Sequence, residues 1–205
     1  MLKIWGRSNS ANVRKALWIA EELGLAYERV DVGGPFGGLD DPAYLARNPN
    51  GLIPLLEDGD ALLWESNVIV RYLAARHADK GLWIDDPLAR AQGEKWMDWA
   101  STTLGGDFRD AMMNLVRLPP DKRDPALAKR GVDNLARAMR IADQGLADRP
   151  WFSGRDFGVG DIPLGCYVYG WMQFDIDRPA LPRLEDWYRR LQARPAYRKA
   201  VMTPN

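Results

Sequence analysis

The hydrophobic spacing of this chain changes character once, near residues 79–87, and that change limits how it can fold. Before it, short strand and helix patterns alternate; after it, only helical spacing remains. Leu2 to Trp5 reads as a short buried strand. Ala11 to Leu23 reads as a helix, with Val13, Leu17 and Ala20 in phase and Gly24 just past the end, where a left-handed residue is wanted. Ala26 to Val32 suits a second strand, residues 33–38 a glycine-rich loop, and Pro42 to Arg47 a short helix. Leu55 to Glu57 and Leu62 to Leu63 suit two strands around the tight turn Asp58-Gly59-Asp60. Glu65 to His77 closes this part as a third helix, with Val68, Ile69, Tyr72 and Leu73 on its apolar stripe. The order is βαβ, a short helix, then ββα.

Asp79 to Pro87 has the composition of a linker. Beyond it, Leu88, Trp96, Trp99 and Leu104 mark a long helix ending before Pro119-Pro120, and Ala126 to Leu146 a second. Asp161 to Trp171 is a tightly apolar third, and Leu184, Trp187 and Leu191 mark one that stops near Pro195. The expectation is an α/β domain over residues 1–80 and an all-helical domain over 87–205.

Composition removes several function classes. Of 205 residues, 28 are Lys or Arg and 28 are Asp or Glu, so the formal charge is zero and no basic excess invites nucleic acid. No apolar run is long enough to span a bilayer. The opening Met-Leu-Lys-Ile-Trp-Gly enters a strand pattern directly, without a signal peptide's apolar core. One His and one Cys cannot make a zinc site of the usual ligands, so no metal is expected. His77 falls at a helix end, where a surface or capping role is ordinary. The pairs Asp40/Asp41, Asp58/Asp60 and Asp85/Asp86 sit beside Gly or Pro and read as turn residues. The glycine-rich loop has neither dinucleotide nor phosphate-loop spacing. Cys166, the one cysteine, cannot form a disulfide within the chain, which suits a reducing cytoplasm.

Four segments carry a resemblance. Asn48-Pro49-Asn50-Gly51-Leu52-Ile53-Pro54 is followed at a fixed distance by Glu65-Ser66, and Ser10-Ala11-Asn12 stands at the start of the first helix. Phe157-Gly158-Val159-Gly160-Asp161 opens a buried helix. Together they resemble the glutathione transferase superfamily, over essentially the whole chain, and the Ser-x-Asn-x-x-Lys pattern (Ser10, Asn12, Lys15) its bacterial theta-like and nu-like groups. The resemblance implies a thioredoxin-like N-terminal domain that binds glutathione as co-substrate, followed by an all-α C-terminal helical bundle.

It also implies roles residue by residue. The Ile53–Pro54 bond would be cis, and the Ile53 backbone would pair with the cysteinyl unit of glutathione as an added strand does. Ser66, at a helix start, would hold the γ-glutamyl carboxylate, and Glu65 would face its ammonium. Ser10 would be the principal thiolate stabiliser and Asn12 an auxiliary donor. A free thiol titrates near pH 8.5, and lowering that by about two units needs roughly 2.7 kcal/mol. One hydrogen bond to a charged sulfur supplies about 1.5–3 kcal/mol, so a hydroxyl and a helix terminus suffice. Ser10 and Asn12 are equally good helix caps from their residue types alone.

Two positions depart from the family pattern. Leu52 stands where Lys or Arg is frequent near the glycine end of glutathione. Gly158 stands where the capping box usually begins with Ser or Thr, which leaves Asp161 with half a box. The N-terminal domain has no cysteine, and Tyr27 falls in a strand, so cysteine and tyrosine mechanisms do not fit.

The function expected is attack by the glutathione thiolate on an electrophile, peroxide or disulfide, in a cytoplasmic homodimer with a detoxification role. The alternative is a transferase-fold binding or scaffold protein. Phe108, Met112, Met113, Leu115, Trp171 and Phe174 suit either an apolar second-substrate pocket or ordinary core.

Overall fold

A computed structural model describes residues 1–204, which form two compact units, residues 1–85 with 192–204, and residues 86–191. The first contains a four-stranded sheet in the order β2-β1-β3-β4, from β1 (Leu2–Trp5), β2 (Tyr27–Val30), β3 (Leu55–Asp58) and β4 (Ala61–Trp64). β1 pairs parallel with β2 and antiparallel with β3, and β3 pairs antiparallel with β4. Helices α1 (Ala11–Glu22) and α3 (Ser66–Arg76) pack against each other and onto β1 and β4, while the short α2 (Pro42–Leu45) leads into the loop before β3. Alternation along β1 explains the layering: Leu2 and Ile4 are buried, whereas Trp5 points the other way into a cluster with Val32, Leu39, Tyr44, Ile53 and Leu55. The expected βαβ–ββα order is the observed one: β1 has the expected bounds, β2 and the three helices are shorter than expected, and β3 and β4 are longer. Gly24 takes φ 64° just after α1, and the N–H of Leu25 bonds the Ala20 carbonyl at 2.9 Å, which stops the helix as anticipated.

The second unit is helical. Asp86 caps α4 (Pro87–Trp99) by accepting from the Ala89 N–H at 2.7 Å. The helix runs on through a π-helical stretch (Ala100–Leu104), α5 (Gly105–Met112) and a second π-helical stretch (Met113–Arg117). The single long helix expected there is therefore continuous but twice widened, which apolar spacing does not reveal. α6 (Pro125–Gly145) is capped by Asp124 and packs along α5. α7 (Ile162–Gln173) is buried from Ile162 to Trp171 and packs against α4 and α5; Cys166 on it is fully buried. Asp143 accepts from the N–H groups of Arg183 and Leu184 at 2.9 and 3.0 Å, holding the start of α8 (Pro182–Ala193).

The entry to α7 corrects one expectation. Asp161, fully buried, accepts from Gly158 N–H (3.1 Å), Phe152 N–H (2.8 Å) and Trp187 Nε1 (2.8 Å). The hydroxyl absent at Gly158 is supplied by Ser153, whose Oγ accepts from the Gly160 N–H at 2.9 Å. A Cβ at Gly158 would meet that same oxygen at 2.9 Å, so the two arrangements exclude each other. The box is complete, with its oxygen drawn from five positions upstream.

The helix marked by Leu184, Trp187 and Leu191 stops at Ala193, near Pro195 as expected, and Pro195 opens a further short helix, α9 (Pro195–Ala200), at a position where proline is favoured. α9 packs on α1, and residues 192–204 group with the first unit. Among the described residues no helix is long and apolar enough to cross a membrane.

Candidate active site

The site is built on the loop between α2 and β3. Asn48, 1% exposed, donates Nδ2 to the Leu52 carbonyl at 2.7 Å and accepts from the Asn50 N–H at 3.1 Å. The Tyr44 hydroxyl reaches the same Leu52 carbonyl at 2.6 Å. Two donors on one carbonyl fix the backbone immediately before Ile53, and the Ile53–Pro54 bond is cis. Gly6, at the end of β1 with φ 143°, leaves the space for this: a Cβ there would lie 2.4 Å from Val13 of α1 and 3.2 Å from Cβ of Ile53. The end of β1, the first turn of α1 and Ile53 are thereby drawn together.

At the other side, Glu65 precedes α3 with φ 72°, the one non-glycine residue in the left-handed range among those described. Such a conformation costs on the order of 1–3 kcal/mol and persists only where its surroundings enforce it. It turns the chain so that Ser66, 6% exposed, begins the helix, while the Glu65 side chain stays exposed. The Ser66 hydroxyl lies 3.4 Å from Oδ1 of Asn12.

These segments enclose a pocket of about 60 Å³ lined by Asn12, Asn48, Leu52, Ile53, Pro54, Glu65 and Ser66, with Asn50 and Trp64 at its edge. It combines a helix N-terminus, a hydroxyl, a carboxylate and side-chain amides, a set suited to a zwitterionic amino-acid head. Of the residues singled out from the sequence, Asn12, Ile53, Pro54, Glu65 and Ser66 line it. Ser10 does not; it occupies the position before α1 with extended backbone, and its side chain makes no capping bond. Trp64, 40% exposed, went unnoticed, although its place immediately before Glu65 marks it. Arg7, like Ser10, is not on the lining. It sits in the loop leading to Ser10, donates to Asn9 Oδ1 at 2.6 Å, and burial lowers the pKa of its guanidinium.

In the second unit Phe108, Met112, Trp171 and Phe174 are buried, with Phe108 against Tyr167 and Phe174, and so are ordinary core. Leu115 alone of that set lines an open groove of about 650 Å³, with Pro120, Ala128, Val132 and Ile176.

Residues 6–81 match the family model of the glutathione S-transferase N-terminal domain. Over 206 aligned residues, glutathione S-transferase GstB of Escherichia coli strain K12 is 48% identical, covering 100% of this chain and 99% of that protein. The chain belongs to the glutathione S-transferase family. A crystal structure of the theta class glutathione S-transferase from Xanthomonas axonopodis pv. citri, with glutathione bound, superposes with a TM-score of 0.96 at 51% identity over 99% of this chain and 98% of that one. More distantly, glutathione S-transferase 3 of Zea mays is 29% identical over 98% of this chain and 93% of its own length. The thioredoxin-like N-terminal part and helical remainder are the fold of this transferase family, as expected from the sequence.

Proposed function

We propose that this glutathione transferase binds its thiol co-substrate in the pocket between α1, the Asn48–Pro54 loop and the start of α3, and activates the sulfur at the N-terminus of α1. One observation carries this: Asn12, Ile53, Glu65 and Ser66, from three separated segments, converge on one small polar pocket. The γ-glutamyl carboxylate lies against Ser66 and the N–H groups opening α3, and the ammonium against Glu65. The Ile53 backbone takes the cysteinyl unit. The sulfur then faces the start of α1, where the Ser10 hydroxyl is the principal donor. Asn12 assists through Nδ2, since its Oδ1 is turned to Ser66.

The chemistry follows from a stabilised thiolate. The thiol proton leaves to solvent, the sulfur lone pair forms the new bond to an electrophilic carbon, and a leaving group departs or a π bond accepts the electrons. At a hydroperoxide the thiolate attacks oxygen, the O–O bond breaks and a sulfenic acid forms as an alcohol or water leaves; at a disulfide it attacks sulfur, the S–S bond breaks and a mixed disulfide forms as a thiolate leaves. Titrating glutathione into wild-type and Ser66→Ala protein by calorimetry, alongside turnover with a panel of electrophiles, hydroperoxides and mixed disulfides, tests the reading. Binding without turnover across the panel would favour a binding or scaffold role.

Within the first unit, Leu62 and Trp64 on the edge strand β4 and Val68 on α3 are 45%, 40% and 44% exposed. This apolar patch supports a homodimer. Light scattering showing only a 23.2 kDa species at micromolar concentration would contradict it. A single cysteine, buried in the fold, supports a cytoplasmic location, and a detoxification role rests on the electrophile chemistry.

A further inference from the structure

The C-terminal residues grip α1 along its length. At the last turn, Arg194 places Nε and Nη2 on the two carboxylate oxygens of Glu22, each at 2.7 Å, and Lys199 reaches Glu21 at 2.8 Å. In the middle, the Trp18 and Tyr197 rings meet edge to face with centroids 4.6 Å apart, and Trp18 Nε1 donates to Glu22 at 2.8 Å. At the first turn stands Arg14, 1% exposed. Its Nη2 donates to the Thr203 carbonyl (2.7 Å), the Thr203 hydroxyl (3.1 Å) and the Pro204 carbonyl (3.2 Å).

A buried guanidinium is costly to leave without acceptors, and these three oxygens answer its Nη2, so the contact is specified rather than incidental. Its place on the helix matters as much as its burial. The Arg14 N–H bonds the Ser10 carbonyl at 2.9 Å, and Asn12 lies two residues before it. The Arg194 and Lys199 contacts fall on Glu22 and Glu21, about two turns from Arg14, and hold the far end of the helix. Of these contacts with the C-terminal residues, the Arg14 contact is the one at the end that carries Ser10 and Asn12.

We propose that Arg14 and the segment Thr203–Pro204 form a positioning device for the first turn of α1, holding Ser10 and Asn12 where they meet the glutathione sulfur. The proposal rests on the reading of Ser10 and Asn12 given above. Glutathione is gripped chiefly from α3 and the Ile53 backbone, so loosening the first turn of α1 should leave binding largely intact while weakening thiolate stabilisation.

The test compares Arg14→Met, a chain stopped after Met202, and Arg14→Lys with Arg194→Met, which unfastens the far end instead. Ultraviolet titration of the bound thiol and steady-state conjugation are measured on each, with melting curves. Arg14→Met and the shortened chain should raise the thiol midpoint by about 0.5–1 pH unit and lower kcat near neutral pH about three- to tenfold. KM for glutathione should stay within about twofold, as expected when the lost interaction acts on the reacting state. Arg14→Lys should recover part of the effect. Arg194→Met should lower the melting temperature without moving the titration. A midpoint unmoved in both Arg14→Met and the shortened chain overturns the proposal, as does an equal shift in Arg194→Met. Ser10→Ala and Asn12→Ala serve as the reference. If they shift the midpoint and the Arg14 variants do not, positioning alone fails; if they do not shift it either, the reading beneath falls as well.

Discussion

Ser66 and Asn12, 54 positions apart, stand 3.4 Å from each other across the base of the pocket, hydroxyl to side-chain carbonyl. The first turns of α1 and α3 therefore share one polar contact, and a ligand on Ser66 is felt at Asn12. Removing the hydroxyl in Ser66→Ala should leave a bound carboxylate poorly held. Glutathione affinity should fall by about 1–3 kcal/mol, roughly ten- to hundredfold. Calorimetry giving wild-type affinity would place the γ-glutamyl group elsewhere.

The same contact separates Ser10 from Asn12. Ser10→Ala should raise the titration midpoint of bound glutathione and slow conjugation at neutral pH with little change in affinity. Asn12→Ala should raise the midpoint less and also weaken binding, because it strips Ser66 of its neighbour. If Asn12→Ala moves the midpoint more than Ser10→Ala does, the two roles are exchanged.

At the start of α7, Ser153 and Gly158 form one device in two positions. Ser153→Ala removes the acceptor for the Gly160 N–H and should cost about 1 kcal/mol. Gly158→Ser alone should also destabilise, since its Cβ meets Ser153 Oγ at 2.9 Å. The double variant moves the hydroxyl to the conventional position and removes the contact with Oγ, leaving the Cβ of residue 153 at 3.0 Å, so its loss should be smaller than the sum of the two. Additive denaturation midpoints would show that the two positions act independently.

Alkaline pH should unfold the protein through its tyrosines. Burial raises Tyr167, and burial with the hydrogen bond to Glu21 raises Tyr27; burial raises Tyr44 as well. In each the folded state keeps its proton longer than the unfolded chain does. Their contribution is therefore present in full below the unfolded value of about 10 and lost as pH climbs through the higher folded values. Melting temperature should fall above about pH 10, and Tyr27→Phe should flatten part of that fall. A tyrosinate absorbance titration of the folded protein complete near the ordinary value would refute this.

The parts of the site legible in the sequence are those whose geometry is local. Asn48 bonds Leu52 and Asn50, all within five residues, so the loop before Ile53 can be read as a unit. Ser66 at a helix start is legible for the same reason. The role of Ser153 was hidden because an oxygen from outside the box replaces the one expected within it. Pro195 reads equally as a stop or as a first helical residue, and only its packing on α1 decides. The backbone of Glu65 is set by its surroundings, which no residue type announces.

The placement of the lone cysteine has a practical consequence. Cys166 is fully buried in α7, so the folded protein presents no thiol of its own to an alkylating agent. Whatever reactive compound the enzyme handles, the thiol it meets is the co-substrate's, and turnover should proceed without alkylation of a protein thiol. A cysteine introduced at Leu52, 62% exposed and on the lining of the pocket, would then be the sole label-accessible thiol, a clean handle for a fluorescent or spin reporter.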